Sequence, residues 1–280
     1  MRKKVILIDG HNLLFKMFYG IPSSIRNSKE KEIKGLVGFL GSLKKIVDKF
    51  NPYSLVVIFD SETSKDSNSI IDIDYKANRR DYSNVIEEEN PFSQLPLIQK
   101  ALGFLDICYL EVEKNETDDY IASIISNNQS SNYEYIIVSN DTDFIQLIND
   151  YVFLYVLKGK NSVLYNQALI IDKYQVLPNK YVLYKSLVGD KSDNIDGIHG
   201  IGKVIALTIL KNGSIEEYVI NNTNTRISKI LEDNKLKIEK NIKLITLNKS
   251  LDTSVVRLCE VSKKIYDYKV YEIIENIGER

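Results

Sequence analysis

Three apolar runs dominate the first half of the chain, and each runs into a carboxylate: VILIDG (5–10), LVVIFD (55–60) and YIIVSND (135–141). Each has the length and β-branched content of a buried strand. Between the first two, Ile33, Leu36, Val37, Leu40, Leu43 and Val47 recur at helical spacing. Strands alternating with helices predict an α/β fold with a mainly parallel sheet flanked by helices. Ligands of such sheets bind beyond the carboxyl ends of the strands, where Asp9, Asp60 and Asp141 would stand. ICYLEV (107–112) reads as a further strand that delivers Glu116, Asp118 and Asp119 to a helix start. FLYVL (153–157) and SVLY (162–165) read as a β-pair. From about residue 167 onward the patterns are short and helical, which predicts a catalytic unit over 1–178 and a helical region over 179–280.

These acids form a set. One aspartate at a helix start is usually an N-cap, and that alternative stands for Asp118 or Asp190 taken alone. So many carboxylates converging without Lys or Arg would repel one another unless cations neutralised them. Oxygen donors without His or Cys suit Mg²⁺ or Mn²⁺. The two cysteines, Cys108 and Cys259, have no metal-binding spacing, which fits a reducing compartment. Pairs such as Asp141/Asp143 and Asp190/Asp193 suit two ions clamping a phosphodiester.

The stretch GDKSDNIDGIHGIGK (189–203) places Gly197, Gly200 and Gly202 beside the last of these acids. A glycine-spaced turn ahead of a helix offers backbone N–H groups to a phosphate. An ordinary helix connection is the other reading of such a turn. The net charge is −1, so overall charge does not argue for a polyanionic partner, although residues 1–50 are locally basic. The N-terminal apolar run is too short for a signal peptide, and no stretch is long enough to span a membrane. A cytoplasmic protein is expected.

Together the motifs LIDG (7–10), VVIFD (56–60), YKANRR (75–80), ETDDYIA (116–122), VSNDTDFIQL (138–147) and GDKSDNI (189–195) resemble those of the bacterial and phage 5′ nucleases of the flap endonuclease family. The resemblance implies a PIN-like catalytic core, an arch at about 75–100 around the 5′ single strand, and a helix-three-turn-helix at about 186–215 that holds duplex. It implies cleavage of DNA at 5′ flaps, nicks or 5′ ends by a monomer with two Mg²⁺ or Mn²⁺ ions, and room for K⁺ in the hairpin. Asp60, Glu116, Asp118 and Asp141 match the first metal cluster, with Asp9 close behind. Asp119, Asp143, Asp190 and Asp193 match the second. Lys76 and Arg79 match the basic residues that act on the scissile phosphate. Tyr75, Arg80, Phe15, Lys16, Gly197, Gly200, Gly202 and Lys203 match DNA contacts.

Some positions depart from the family pattern. Asn140 and Thr142 replace a usual glycine and lysine, Asp196 and His199 stand where prolines are common, and Ile205 replaces a hydroxyl residue. Two other classes share part of the pattern. A PIN-type ribonuclease would share the strand-end acids but lack the 189–203 turn. A silent branched-DNA binding protein would share the turn but need not keep every acid.

Overall fold

The computed structural model describes residues 2–61, 82, 84–113, 115–128, 132–211, 213–267 and 269–270. β1 (Lys3–Asp9) leads directly into α1 (Gly10–Gly20), followed by α2 (Lys34–Phe50) and β2 (Ser54–Asp60). Next come α3 (Leu95–Phe104), β3 (Cys108–Val112), α4 (Thr117–Asn127) and β4 (Tyr133–Val138), then β5 (Val152–Val156) and β6 (Val163–Tyr165). The sheet order is β3-β2-β1-β4-β5-β6. β1 to β5 are parallel, and β6 closes the edge antiparallel to β5. The expected α/β fold is therefore present, and the expected β-pair is β5 with β6.

Both faces of the sheet are covered, and the two-residue period of a strand shows why. Val5 and Leu7 pack with Ile121 and Ile124 in one apolar cluster, whereas Ile6 and Ile8 pack with Leu36, Phe39 and Leu43 in the other. A strand buried on both faces must be apolar throughout, as VILI is. On α2 Leu36, Leu40, Leu43 and Val47 of the expected stripe are buried, joined by Phe39 and Ile46, while Val37 is half-buried against the same cluster.

Residues 91–100 differ from the expectation of an arch. Pro91–Gln94 forms a 3-10 turn and α3 follows it. Leu95, Ile98, Ala101 and Leu102 sit in the core, because LPLIQKAL carries an apolar helical stripe. Buried Gln94 accepts the backbone N–H of Leu36 at 2.9 Å, fastening this segment to α2.

The second half is helical: α5 (Gln167–Tyr174), α6 (Tyr181–Val188), then a small antiparallel pair β7 (Gly189–Asp190) and β8 (Ile195–Asp196). α7 (Lys203–Lys211), α8 (Ile215–Asn221), α9 (Arg226–Asp233) and α10 (Lys235–Ile245) complete it. Asn241 of α10 is buried, and its amide donates to the carbonyls of Ser186 (3.0 Å) and Asp196 (2.9 Å). That satisfies both ends of the turn that carries Asp190 and Asp193. Among the described residues no helix is long and apolar enough to cross a membrane.

Candidate active site

At the carboxyl edge of the sheet Asp9, Asp60 and Asp141 are held by hydrogen bonds between their carboxylates and backbone N–H groups or the Ser139 hydroxyl. Asp9 caps α1: one oxygen accepts Asn12 N–H at 3.0 Å, and the other accepts Ser139 Oγ at 3.0 Å, across from β1 to the end of β4. Asp60 Oδ1 accepts Thr117 N–H at 2.7 Å, drawing the start of α4, with Glu116 and Asp118, to the end of β2. β4 itself stops at Val138, earlier than the run YIIVSND suggests. Ser139 Oγ accepts Asp141 N–H at 3.1 Å and Asp141 Oδ1 accepts Asp143 N–H at 2.8 Å. Asp141 thus lies in a side-chain-closed turn beyond the strand.

The electrostatics reflect this crowding. Burial pushes Asp9 up to about 7, and the charges of Asp60 and Asp141 add to the rise against the hydrogen bonds from Asn12 and Ser139. Burial also raises Asp143, with Asp141 and Asp193 adding to it and Lys185 opposing. Asp60 goes the other way: despite burial, hydrogen bonds from His11 and Thr117 hold it below the usual carboxylate range. A cluster in which carboxylates push one another toward protonation is one that a bound cation would discharge.

Asp143, Asp190 and Asp193 come together, with one carboxylate oxygen from each within 4.8 Å of the others. Asp119 is also buried, but its Oδ1 accepts Asn248 N–H at 2.7 Å, tying α4 to the chain beyond α10. Phe15 packs edge-on against Phe92 (5.1 Å between centroids) and Tyr82 (5.4 Å), so its ring belongs to an aromatic cluster. Lys16 lines a pocket beside Asn140. Gly200, Gly202 and Lys203 are exposed. Lys76, Arg79, Tyr75 and Arg80 lie outside the described residues.

Two residues were missed by sequence reasoning. Lys185 of α6 is 5% exposed and pairs with both Asp143 and Asp190. The premise that the acids converge without a cation is therefore corrected for this cluster. Despite burial, the two carboxylates raise the Lys185 pKa, so the ammonium stays charged. With all three carboxylates ionised, the single ammonium leaves a formal charge of −2, which one divalent cation would neutralise. The signal was KSLVGD, a lysine five residues before Asp190, but helix lysines are commonly solvated.

The second is His11, whose Nδ1 lies 3.3 Å from Asp60 Oδ2 and whose ring packs on Phe59 and Phe92. A histidine that fixes a ligand carboxylate shapes metal affinity. His11→Leu is expected to weaken Mn²⁺ binding about tenfold or more, measured by calorimetry. His11→Asn, which keeps a donor near the Nδ1 position, should recover most of the loss. Equal losses in the two variants would remove this role.

With this geometry in place, comparison with known proteins is direct. The model of the 5′-3′ exonuclease N-terminal resolvase-like domain matches residues 4–175, and that of the 5′-3′ exonuclease C-terminal SAM fold matches 176–269. The chain belongs to the 5′-3′ exonuclease family. Its activity class, a 5′-3′ exonuclease, follows from that membership. A 5′-3′ exonuclease of Aquifex aeolicus is 30% identical over 263 residues, covering 94% of this chain and 87% of the relative. DNA polymerase I of Thermus thermophilus is 31% identical over 84% of this chain, but only 28% of the polymerase is covered. This exonuclease-family chain thus spans less than a third of that polymerase. In fold it is similar to the T5 5′-exonuclease with divalent zinc bound, at 19% identity and a TM-score of 0.72, covering 99% of this chain and 100% of the other. It is also similar to the bacteriophage T5 flap endonuclease in a pseudo-enzyme-product complex with DNA and metal ions, at 19% identity and a TM-score of 0.70, covering 98% of this chain and all of that one.

Proposed function

We propose that this exonuclease-family chain is a structure-selective DNA nuclease that uses divalent metal. It would hydrolyse phosphodiester bonds at 5′ ends, nicks and 5′ flaps, leave 5′-phosphate and 3′-hydroxyl ends, and serve replication or repair as a monomer. The observation that carries the reading is the acid edge: the charges of Asp60 and Asp141 help raise Asp9, and the turn from Asp141 to Asp143 leads into the Asp143, Asp190 and Asp193 cluster. All-oxygen donors with residual negative charge fit Mg²⁺ or Mn²⁺. Asp60, Glu116, Asp118 and Asp141, with Asp9 behind them, are the proposed ligands of one ion. Asp143, Asp190 and Asp193, with Asp119 behind them, are those of a second. Bound there, such ions supply an activated water and charge stabilisation at the phosphate.

The protein's own part is to hold these carboxylates in place and to bring the phosphate to them. Lys76 and Arg79 are proposed as the cations on the scissile phosphate, with Tyr75 and Arg80 beside them, in an arch that ends before Pro91. The exposed edge of Gly200, Gly202 and Lys203 at the start of α7 is the proposed duplex contact, with K⁺ as a candidate ion. The test is release of product from 5′-labelled flap DNA with Mg²⁺, compared with EDTA and with single-stranded RNA. Cleavage of the RNA in preference to the flap would overturn the reading.

The glycines of the turn divide by physical cause. A Cβ on Gly197 would meet the Val188 backbone at 2.5 Å and Gly189 N at 2.8 Å, so Gly197 is required by the β7–β8 pair itself. Gly202 has open space around its Cβ position. Gly197→Ala is therefore expected to cost stability by overpacking, about 1–3 kcal/mol. Gly202→Leu should leave stability within about 0.5 kcal/mol yet weaken duplex binding by blocking approach of a phosphate to the backbone. Thermal melts and duplex titrations read the two effects separately. Unchanged duplex affinity in Gly202→Leu would remove the turn from the binding surface.

A further inference from the structure

Beside the acids lies a cavity that the mechanism above does not use. Its volume is about 180 Å³, below the ~300–1,000 Å³ of sites that enclose a whole small molecule. The floor is apolar, formed by Ile145, Leu154, Val156 and Ile170. Lys16 from α1, Lys158 from the β5–β6 turn and Lys173 from α5 stand around it, and no carboxylate is among the described residues that line it. Asn140 and Thr142 complete the wall and flank Asp141 in sequence, which joins the cavity to the acid edge.

Two features say what would fit. Burial lowers the Lys16 pKa, and the charge of Lys158 lowers it further, as expected where ammonium groups converge on a space that wants an anion. Lys173 Nζ donates to Tyr165 Oη at 3.1 Å and lies 4.8 and 4.9 Å from the ring centroids of Tyr165 and Tyr174, so a cation is fixed between two rings. A bare phosphate would satisfy the lysines but not the apolar floor. A nucleotide brings a flat apolar ring in its base and the charge in its phosphate.

We propose that this cavity takes one nucleotide of the DNA strand beside the cleaved phosphate, its base on the apolar floor and against Tyr165, its phosphates at Lys16, Lys158 and Lys173. The proposal rests on the DNA-nuclease reading, and it commits to a nucleotide held within the strand.

The test is equilibrium binding, in Ca²⁺, of 5′-tailed duplexes in which a single abasic residue is walked along the tail. In the wild-type protein an abasic residue at one position should raise Kd about tenfold, the scale of one base stacked on protein. Tyr165→Leu should raise Kd for the intact tail by a similar factor and lose its sensitivity to the abasic residue. Lys173→Gln, at an exposed position, should weaken intact and abasic tails alike and reduce the slope of log Kd against log salt by about one. Thymidine monophosphate should compete only weakly. Uniform sensitivity along the tail, sensitivity retained in Tyr165→Leu, or competition by the free nucleotide as strong as by the tailed DNA would each overturn the proposal. Base-dependent binding in a protein that cleaves no flap in Mg²⁺ would leave the pocket standing and sink the nuclease reading.

Discussion

Asp141→Asn is expected to lower the single-turnover rate of flap cleavage by on the order of 10³-fold, about 4 kcal/mol of transition-state stabilisation. Asp141 serves two purposes at once. Its Oδ1 closes the turn by accepting Asp143 N–H at 2.8 Å, and its charge contributes to the potential that raises Asp9 and Asp143. Asparagine keeps an oxygen for the turn and removes only the charge, so the fold should survive while the hold on a divalent cation fails. DNA affinity measured in Ca²⁺ should fall far less than the rate. A variant that cleaves at close to the wild-type rate would take Asp141 out of the proposed mechanism.

Lys185→Met is expected to destabilise the metal-free protein by about 3–5 kcal/mol, the usual consequence of removing one member of a buried ion pair. Methionine fills a similar volume, but Asp143 and Asp190 then face each other and Asp193 without the ammonium that Lys185 places between the first two. The sign of the pH dependence follows. The Lys185 pKa is raised, so in the wild-type protein its stabilisation is fully present at neutral pH and is lost only as pH climbs through that raised value. In the variant the deficit should be largest near neutral pH and above, and should shrink as acid protonates one of the stranded carboxylates. Millimolar Mn²⁺ should recover more stability in Lys185→Met than in the wild type, because a cation then replaces missing charge. Denaturant unfolding with and without Mn²⁺ measures both effects. A loss below about 1 kcal/mol, unchanged by Mn²⁺, would mean that Lys185 does not offset the acids.

The sheet was legible because its signal is local. VILIDG, LVVIFD and the α2 stripe each encode burial within a few residues, and the period of the pattern distinguishes strand from helix. Asp9 and Asp60 were legible for the same reason, since each closes a strand at the carboxyl edge. The arch implied by the family resemblance ran on to about residue 100, whereas the apolar stripe of LPLIQKAL has meaning only once α2 and β3 are there to cover it.

By itself the sequence determined the fold class, the end of the sheet that carries chemistry, and the residue types that meet there. What charge those residues carry was decided only by tertiary structure. Lys185 is separated from Asp143 by 42 positions and His11 from Asp60 by 49, and nothing in either local pattern marks them as partners. The same holds for Gly197 and Gly202, alike in the sequence but one pressed against the Val188 backbone and the other open to solvent. The physical reason is range. Periodicity and capping act over one or two turns of chain, whereas desolvation, ion pairing and close backbone approach depend on atoms that only the folded topology brings within a few ångströms.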